Sequence, residues 1–141
     1  MTQYDKNIQR NIWVNGCFDI IHYGHIELLR YAYNLGGAVH VGIDSDARIR
    51  KSKGKSRPIN NEYFRKHLLD ALKYVHYVHI FNTDHELSAL IKEIKPMYIV
   101  VGEEYSDKKV IGSEHCSNIR YFPRIEMHST TEIIKKIKEN G

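Results

Sequence analysis

The chain has 141 residues, a length that supports one hydrophobic core but not two, so a single domain over residues 1–141 is expected. Apolar residues make up 42%, no apolar run reaches a membrane span, and residues 1–10 lack the apolar centre of a signal peptide. Membrane-embedded and secreted classes are thereby excluded and a cytoplasmic protein is expected, with Cys17 and Cys116 as free thiols because they are far apart and form no CxxC spacing.

The net charge of +4 is local. Arg48, Arg50, Lys51, Lys53, Lys55 and Arg57 fall within ten residues that contain no acid, and without these six cations the balance is −2.

In chain order, Ile12, Trp13 and Val14 predict a short strand, ended by Gly16, which tolerates backbone angles other residues avoid. Ile26, Leu28, Leu29, Ala32 and Leu35 then recur at helical spacing, so a helix is expected from near His22 to the stop at Gly36-Gly37. Residues 38–43 alternate as a second strand closed by Asp44-Ser45-Asp46, completing a β-α-β unit with a right-handed crossover. The basic stretch 48–57 reads as a loop ended by Pro58. A helix from Asn60, capped by Asn60 or Asn61, carries an apolar stripe of Phe64, Leu68, Leu69, Leu72 and Val75. Residues 75–81 form a third strand, and Asp84 caps a third helix through Leu87, Leu90, Ile91 and Ile94 that Pro96 stops. Residues 97–101 form a fourth strand ended by Gly102. Residues 103–117 hold a loop and a short helical piece, 119–122 a fifth strand, and Ser129-Thr130-Thr131-Glu132 opens a last helix with an apolar face of Ile133, Ile134 and Ile137. Strict alternation predicts a three-layer α/β, Rossmann-like domain with a five-stranded parallel sheet and a ligand site at the carboxyl ends of its strands.

A helix opening near His22 directs its unpaired N–H groups and positive dipole end at the glycine turn, which favours an anion there. His22 and His25 lie one turn apart on one face and can aim at the same anion. By residue type alone the pair also fits surface chemistry or two ligands of a metal. Neither alternative accounts for Gly24 between them, which costs about 1 kcal/mol of helix propensity relative to Ala and lets a phosphate approach the backbone. Gly16-x-Phe18-Asp19 after a strand, followed by His22-x-Gly24-His25 at a helix start, resembles the hallmark of the HxGH nucleotidyltransferase superfamily.

The likeness extends along the chain. Asp44-Ser45-Asp46-Ala47, Lys53-Gly54-x-Ser56-Arg57-Pro58-x-Asn60, Arg65, Gly102-x-x-Tyr105, Gly112-Ser113-Glu114 and Ser129-Thr130-Thr131 resemble bacterial heptose 1-phosphate adenylyltransferases. Short cytidylyltransferases for glycerol 3-phosphate are similar too, sharing the HxGH and an arginine ahead of the STT, here Arg124. Two positions depart from these patterns: Met127-His128 precedes the STT in place of Gly-Ile or Gly-Cys, and Glu103-Glu104 replaces Gly-Asp or Asp-Asp. Both bear on the choice of base or acceptor.

What the resemblance implies is attack by a substrate phosphate oxygen on the α-phosphorus of a nucleoside triphosphate, ATP favoured, with pyrophosphate leaving and Mg2+ carried by the triphosphate. It implies that His22 and His25 bind the triphosphate and stabilise the transition state and that Lys53 reaches the α-phosphate or the acceptor phosphate. Arg65 and Arg124 would be supporting cations, Ser129 and Thr130 would hold the β- and γ-phosphates, and Gly102 would let the base approach the backbone. Gly16, Cys17, Phe18, Gly24, Glu103 and Thr131 complete the implied nucleotide-binding set, and a homodimer is implied for the assembly. Three rivals stand beside this: CTP with glycerol 3-phosphate or another polyol or sugar phosphate, a nucleotide sensor without turnover, and a nucleic-acid contact at residues 48–57. The last is disfavoured because the basic stretch has no interleaved aromatics, so neither nucleic acid nor membrane is expected as a partner.

Overall fold

The computed structural model describes residues 10–102, 109–123 and 130–141. Five strands, β1 (Asn11–Gly16), β2 (Ala38–Asp44), β3 (Tyr77–Phe81), β4 (Tyr98–Gly102) and β5 (Ile119–Phe122), form one sheet in the order β3-β2-β1-β4-β5. Every pairing is parallel, as the alternation of strands and helices requires. Strand order reverses between β1 and β4, so the crevice for a ligand opens at their carboxyl ends.

Alternation along β1 divides the core into two. Ile12 and Val14 face α1 (Tyr23–Asn34) and α3 (Glu62–Asp70) with Leu29, Ala32, Val39, Val41, Ile43 and Leu69. Trp13 points to the opposite face and packs with Phe81, Leu87, Ile91 and Ile99 beneath α4 (Asp84–Ile94). Gly42 makes room for that indole, because a Cβ there would lie 2.3 Å from Trp13 Cζ2. Gly42→Ala should therefore lower stability by about 1–3 kcal/mol, read as a lower denaturation midpoint at unchanged slope; a midpoint equal to the parent's would show that the indole has somewhere else to go. His40 lies on the same face, its Nδ1 3.0 Å from His79 Nε2. Burial, then the neighbouring His79 and His76, push its pKa down to about 4, so it packs as a neutral ring.

Several boundaries and faces differ from those read from the sequence. Residues 48–53 of the expected basic loop belong to a helix, α2 (Asp46–Lys53), capped by Ser45 Oγ accepting from Arg48 N at 3.1 Å and anchored by the buried Ile49. Its charges follow the helix dipole, Asp46 in the first turn and Arg50, Lys51 and Lys53 in the last. Helix α3 ends at Asp70, and β3 begins at Tyr77 rather than at Val75. The apolar stripe expected to face inward is rotated, with Phe64 59% and Leu68 47% exposed, because Arg65 and Leu69 take the inner face. Thr83, not Asp84, caps α4, its Oγ1 accepting from Glu86 N at 3.1 Å. The last helix, α5 (Thr130–Asn140), has no buried residue, and Ile137 of its expected apolar face is 63% exposed. Its expected cap, Ser129, lies outside the described residues. Among the described residues no helix is long and apolar enough to cross a membrane.

Candidate active site

The chain leaves β1 and turns through Cys17, Phe18 and Asp19 before α1 begins. Gly16 is the last residue of the strand, and the positive φ expected there falls two residues later, at Phe18, with φ 50°. Gly16 gives clearance instead: a Cβ there would lie 3.1 Å from Phe18 Cε2, a tight contact with the ring. The left-handed turn folds the buried Phe18 ring back over Gly16 and sets it 4.8 Å, centroid to centroid, from the ring of His25.

His22 is the N-cap of α1, and the two histidines close the helix start reciprocally. His22 Nδ1 accepts from Gly24 N at 3.1 Å, and His22 N donates to His25 Nδ1 at 3.3 Å. This is the capping-box arrangement with imidazoles in place of hydroxyl and carboxylate. Two of the amides at this helix start, those of His22 and Gly24, are taken by the rings. A nitrogen that accepts from a backbone N–H carries no proton, so each neutral ring holds its proton on Nε2. The rings stack with centroids 3.8 Å apart and 25° between planes, an arrangement two imidazolium ions would oppose. Burial, then the charge of a protonated His22, push the His25 pKa down to about 3, against the pull of the Ile20 carbonyl. The helix start thus presents a neutral His25 ring, stacked on His22, at the end of β1.

Around this turn, Cys17 Sγ donates to Asp44 Oδ2 at 3.3 Å. Burial, followed by the Asp44 carboxylate, raises the thiol to about 11, with Lys53 and Arg65 pulling it back, so no thiolate nucleophile is available at neutral pH. Asp44 also receives Arg48 Nε at 2.7 Å, which fastens α2 to the end of β2. Thr130 Oγ1 donates to the Ile20 carbonyl at 3.2 Å, tying the start of α5 to the histidine turn. Gly102 ends β4, across the crevice from β1. Among the described residues there is no group of three His, Cys, Asp or Glu placed to hold a metal ion.

The sequence matches the family described as cytidylyltransferase-like over residues 13–136. The chain belongs to the cytidylyltransferase-like family of nucleotidyltransferases. It is 42% identical over 139 residues to the bifunctional protein HldE of Campylobacter jejuni, a match covering 99% of this chain and 30% of that protein. The HldE of a Nitratiruptor species is 41% identical over 133 residues, covering 94% of this chain and 29% of that one. The chain thus spans about 30% of the length of these curated relatives. Among solved structures, the lipopolysaccharide core biosynthesis protein of Thermoplasma volcanium is similar with a TM-score of 0.63 at 28% identity, covering 85% of this chain and 98% of that chain.

Within this cytidylyltransferase-like site, the expected residues divide into three groups. Gly16, Cys17, Phe18, His22, Gly24 and His25 are brought together in one turn, with Thr130 bonded to its Ile20 carbonyl. Lys53 ends α2 exposed to solvent, its charge felt at Cys17, and Thr131 is exposed on α5. Glu103, Arg124 and Ser129 lie outside the described residues.

Arg65, expected as a supporting cation of the nucleotide site, is placed as an internal strut. It is fully buried, and it donates to the Cys17, Asp44 and Asn60 carbonyls at 2.9, 2.7 and 2.9 Å and to Asp46 at 2.8 Å. These bonds join the ends of β1 and β2 to the starts of α2 and α3. Asp19, absent from the expected site, is also fully buried and sits in the middle of the turn. Its membership of Gly16-x-Phe18-Asp19, a carboxylate beside a buried aromatic, was the signal available for it.

Proposed function

We propose that this chain forms one nucleotidyltransferase domain that moves AMP from ATP to a sugar phosphate such as heptose 1-phosphate, releasing pyrophosphate. The observation that carries this reading is the identity to HldE over nearly the whole chain, since those relatives are bifunctional heptose 7-phosphate kinase/heptose 1-phosphate adenylyltransferases and the match falls on the adenylyltransferase part.

The site chemistry supports it. A phosphomonoester has its second pKa near about 6, so the acceptor oxygen is anionic at neutral pH and no general base is needed. The remaining task is to stabilise negative charge as the α-phosphorus becomes five-coordinate, and fixed donors do this without reorganising. His22 and His25 would supply their Nε2–H groups, Lys53 an exposed ammonium, and Ser129 a hydroxyl for the outer phosphates, joined by Thr130 once its hydroxyl turns from the Ile20 carbonyl to the substrate. Gly102, Glu103, Arg124 and Thr131 would complete the nucleotide site, with Gly102 beside the base. Magnesium enters with the triphosphate, held by phosphate oxygens and water. A homodimer has a ready face in the exposed Tyr63, Phe64 and Leu68 of α3.

Pyrophosphate release with magnesium, crossing ATP and CTP against heptose 1-phosphate and glycerol 3-phosphate, tests the reading. Release with ATP and the heptose supports it. Release with CTP and glycerol phosphate replaces it with polyol cytidylyl transfer, and silence throughout removes it. The same assay tests the protonation state of the rings. Because His25 is neutral down to about 3, kcat/KM should fall below about pH 6 as the acceptor phosphate gains its proton, and stay level from about pH 6.5 to 8.5. A decline with rising pH between 6 and 7.5 would mean that an imidazolium is required, and the neutral-donor account would be wrong.

A further inference from the structure

Asp19 has no contact with solvent and is held by the segment joining α2 to α3. Its Oδ1 accepts from Ile59 N at 2.9 Å and Asn60 N at 2.8 Å, its Oδ2 accepts from Arg57 Nε at 3.1 Å, and its own carbonyl accepts from Asn60 Nδ2 at 2.9 Å. Arg57 is the side-chain cation paired with this carboxylate, and only 12% of its side chain is exposed.

The way Arg57 meets Asp19 is informative. A guanidinium recruited only to neutralise a buried carboxylate would satisfy it best through two parallel N–H bonds. Arg57 instead gives Asp19 its single Nε, and among the described residues its Nη1 and Nη2 have no hydrogen-bond partner. The uncommitted end is the two-nitrogen fork that matches a phosphate. Asp19 lies three residues before His22, so Arg57 is bonded to the same turn that leads into the histidines. The two backbone bonds to Ile59 and Asn60 fix the strap on which Arg57 rides.

We propose that Arg57 binds a substrate phosphate beside the histidine pair and that Asp19 is the positioning residue that aims it. This rests on the nucleotidyl-transfer reading for the identity of the phosphate, which belongs to either the triphosphate or the acceptor. The Arg57 side chain is largely buried and held by Asp19 with its fork reaching solvent, whereas Lys53 is a point charge on an exposed stem, so the two cations do different work.

The test uses Arg57→Gln, Arg57→Lys, Asp19→Asn and the Arg57→Gln/Asp19→Asn double variant in the full chain. Arg57→Gln should raise KM for one substrate, or lower kcat, by about tenfold to a hundredfold, the range for losing a charge-assisted bond, while circular dichroism and the melting curve stay close to the parent's. A KM effect confined to ATP identifies the triphosphate, and one confined to the sugar phosphate identifies the acceptor. Arg57→Lys should recover part of the loss. Asp19→Asn should impair the same substrate, and should add little in the Arg57→Gln background because it acts through Arg57. Unchanged kinetics in Arg57→Gln, or an Asp19→Asn loss of equal size in both backgrounds, would leave the pair with a purely structural role. Calorimetric titration with ATP and with inorganic phosphate gives a readout independent of turnover. If the parent binds either probe without releasing pyrophosphate, the transfer reading fails, while weaker binding by Arg57→Gln still supports the phosphate contact. Equal affinity in parent and variant, or no binding of either probe by the parent, overturns it.

Discussion

Replacing His22 by Asn should lower pyrophosphate release by about 10²- to 10³-fold while leaving the melting temperature near that of the parent chain. The choice of asparagine separates two duties that one imidazole performs. Through Nδ1, His22 caps α1 by accepting from Gly24 N; in the proposed reaction its Nε2 side would meet the substrate. Asparagine caps helices well but cannot reach the position of Nε2. His22→Ala loses both duties and should show the same kinetic loss plus about 1 kcal/mol of destabilisation. Should His22→Asn turn over at near the parental rate, the ring is a cap alone and the assignment of the site is wrong. His25→Ala is a less selective probe, because that ring is also packed against Phe18.

The largest effect on stability is expected at Arg65. Substituting Met fills similar volume but leaves the Cys17, Asp44 and Asn60 carbonyls and the Asp46 carboxylate without the donors they now have. Removing one partner of a buried ion pair costs about 3–5 kcal/mol, which for a domain of this size lowers the melting temperature by roughly 10–20 °C. Thermal and denaturant melts measure this directly. The opposite pattern, an intact melt with turnover lost, would return Arg65 to the supporting-cation role its place in the sequence pattern implied.

Arg65 also shows why part of this site was hidden from sequence reasoning. The order of elements, the parallel sheet and the histidine turn were legible because they depend on periodicity and spacing, which are local properties. The inward face of α3 was not, because Phe64 and Leu68 look more apolar than Arg65 until the carbonyls at the ends of β1 and β2 are seen to need a donor. Helix α2 was missed for a related reason: Ile49 is its one buried residue, too little for a hydrophobic period, although Ser45 ahead of it and Gly54 behind it mark its ends. At Gly16 the residue was recognised for the wrong property, since what matters there is clearance for Phe18 rather than backbone freedom. The pairing of Asp19 with Arg57 spans 38 residues, and no local pattern encodes it.

The position of β1 at the centre of the sheet has a consequence for synthesis. Its first neighbour, β2, follows within one helix, but its second is β4, with Ile12 paired to Tyr98, 86 residues further on. At a ribosomal rate of about 5–20 residues per second, roughly 4–17 s pass between the emergence of those two partners. Throughout that interval one edge of a strand carrying Ile12, Trp13 and Val14 is open to any other extended chain nearby. The nascent polypeptide is therefore most exposed to mispairing at the segment around which the finished enzyme is built, and shielding of that edge by chaperones should govern its soluble yield.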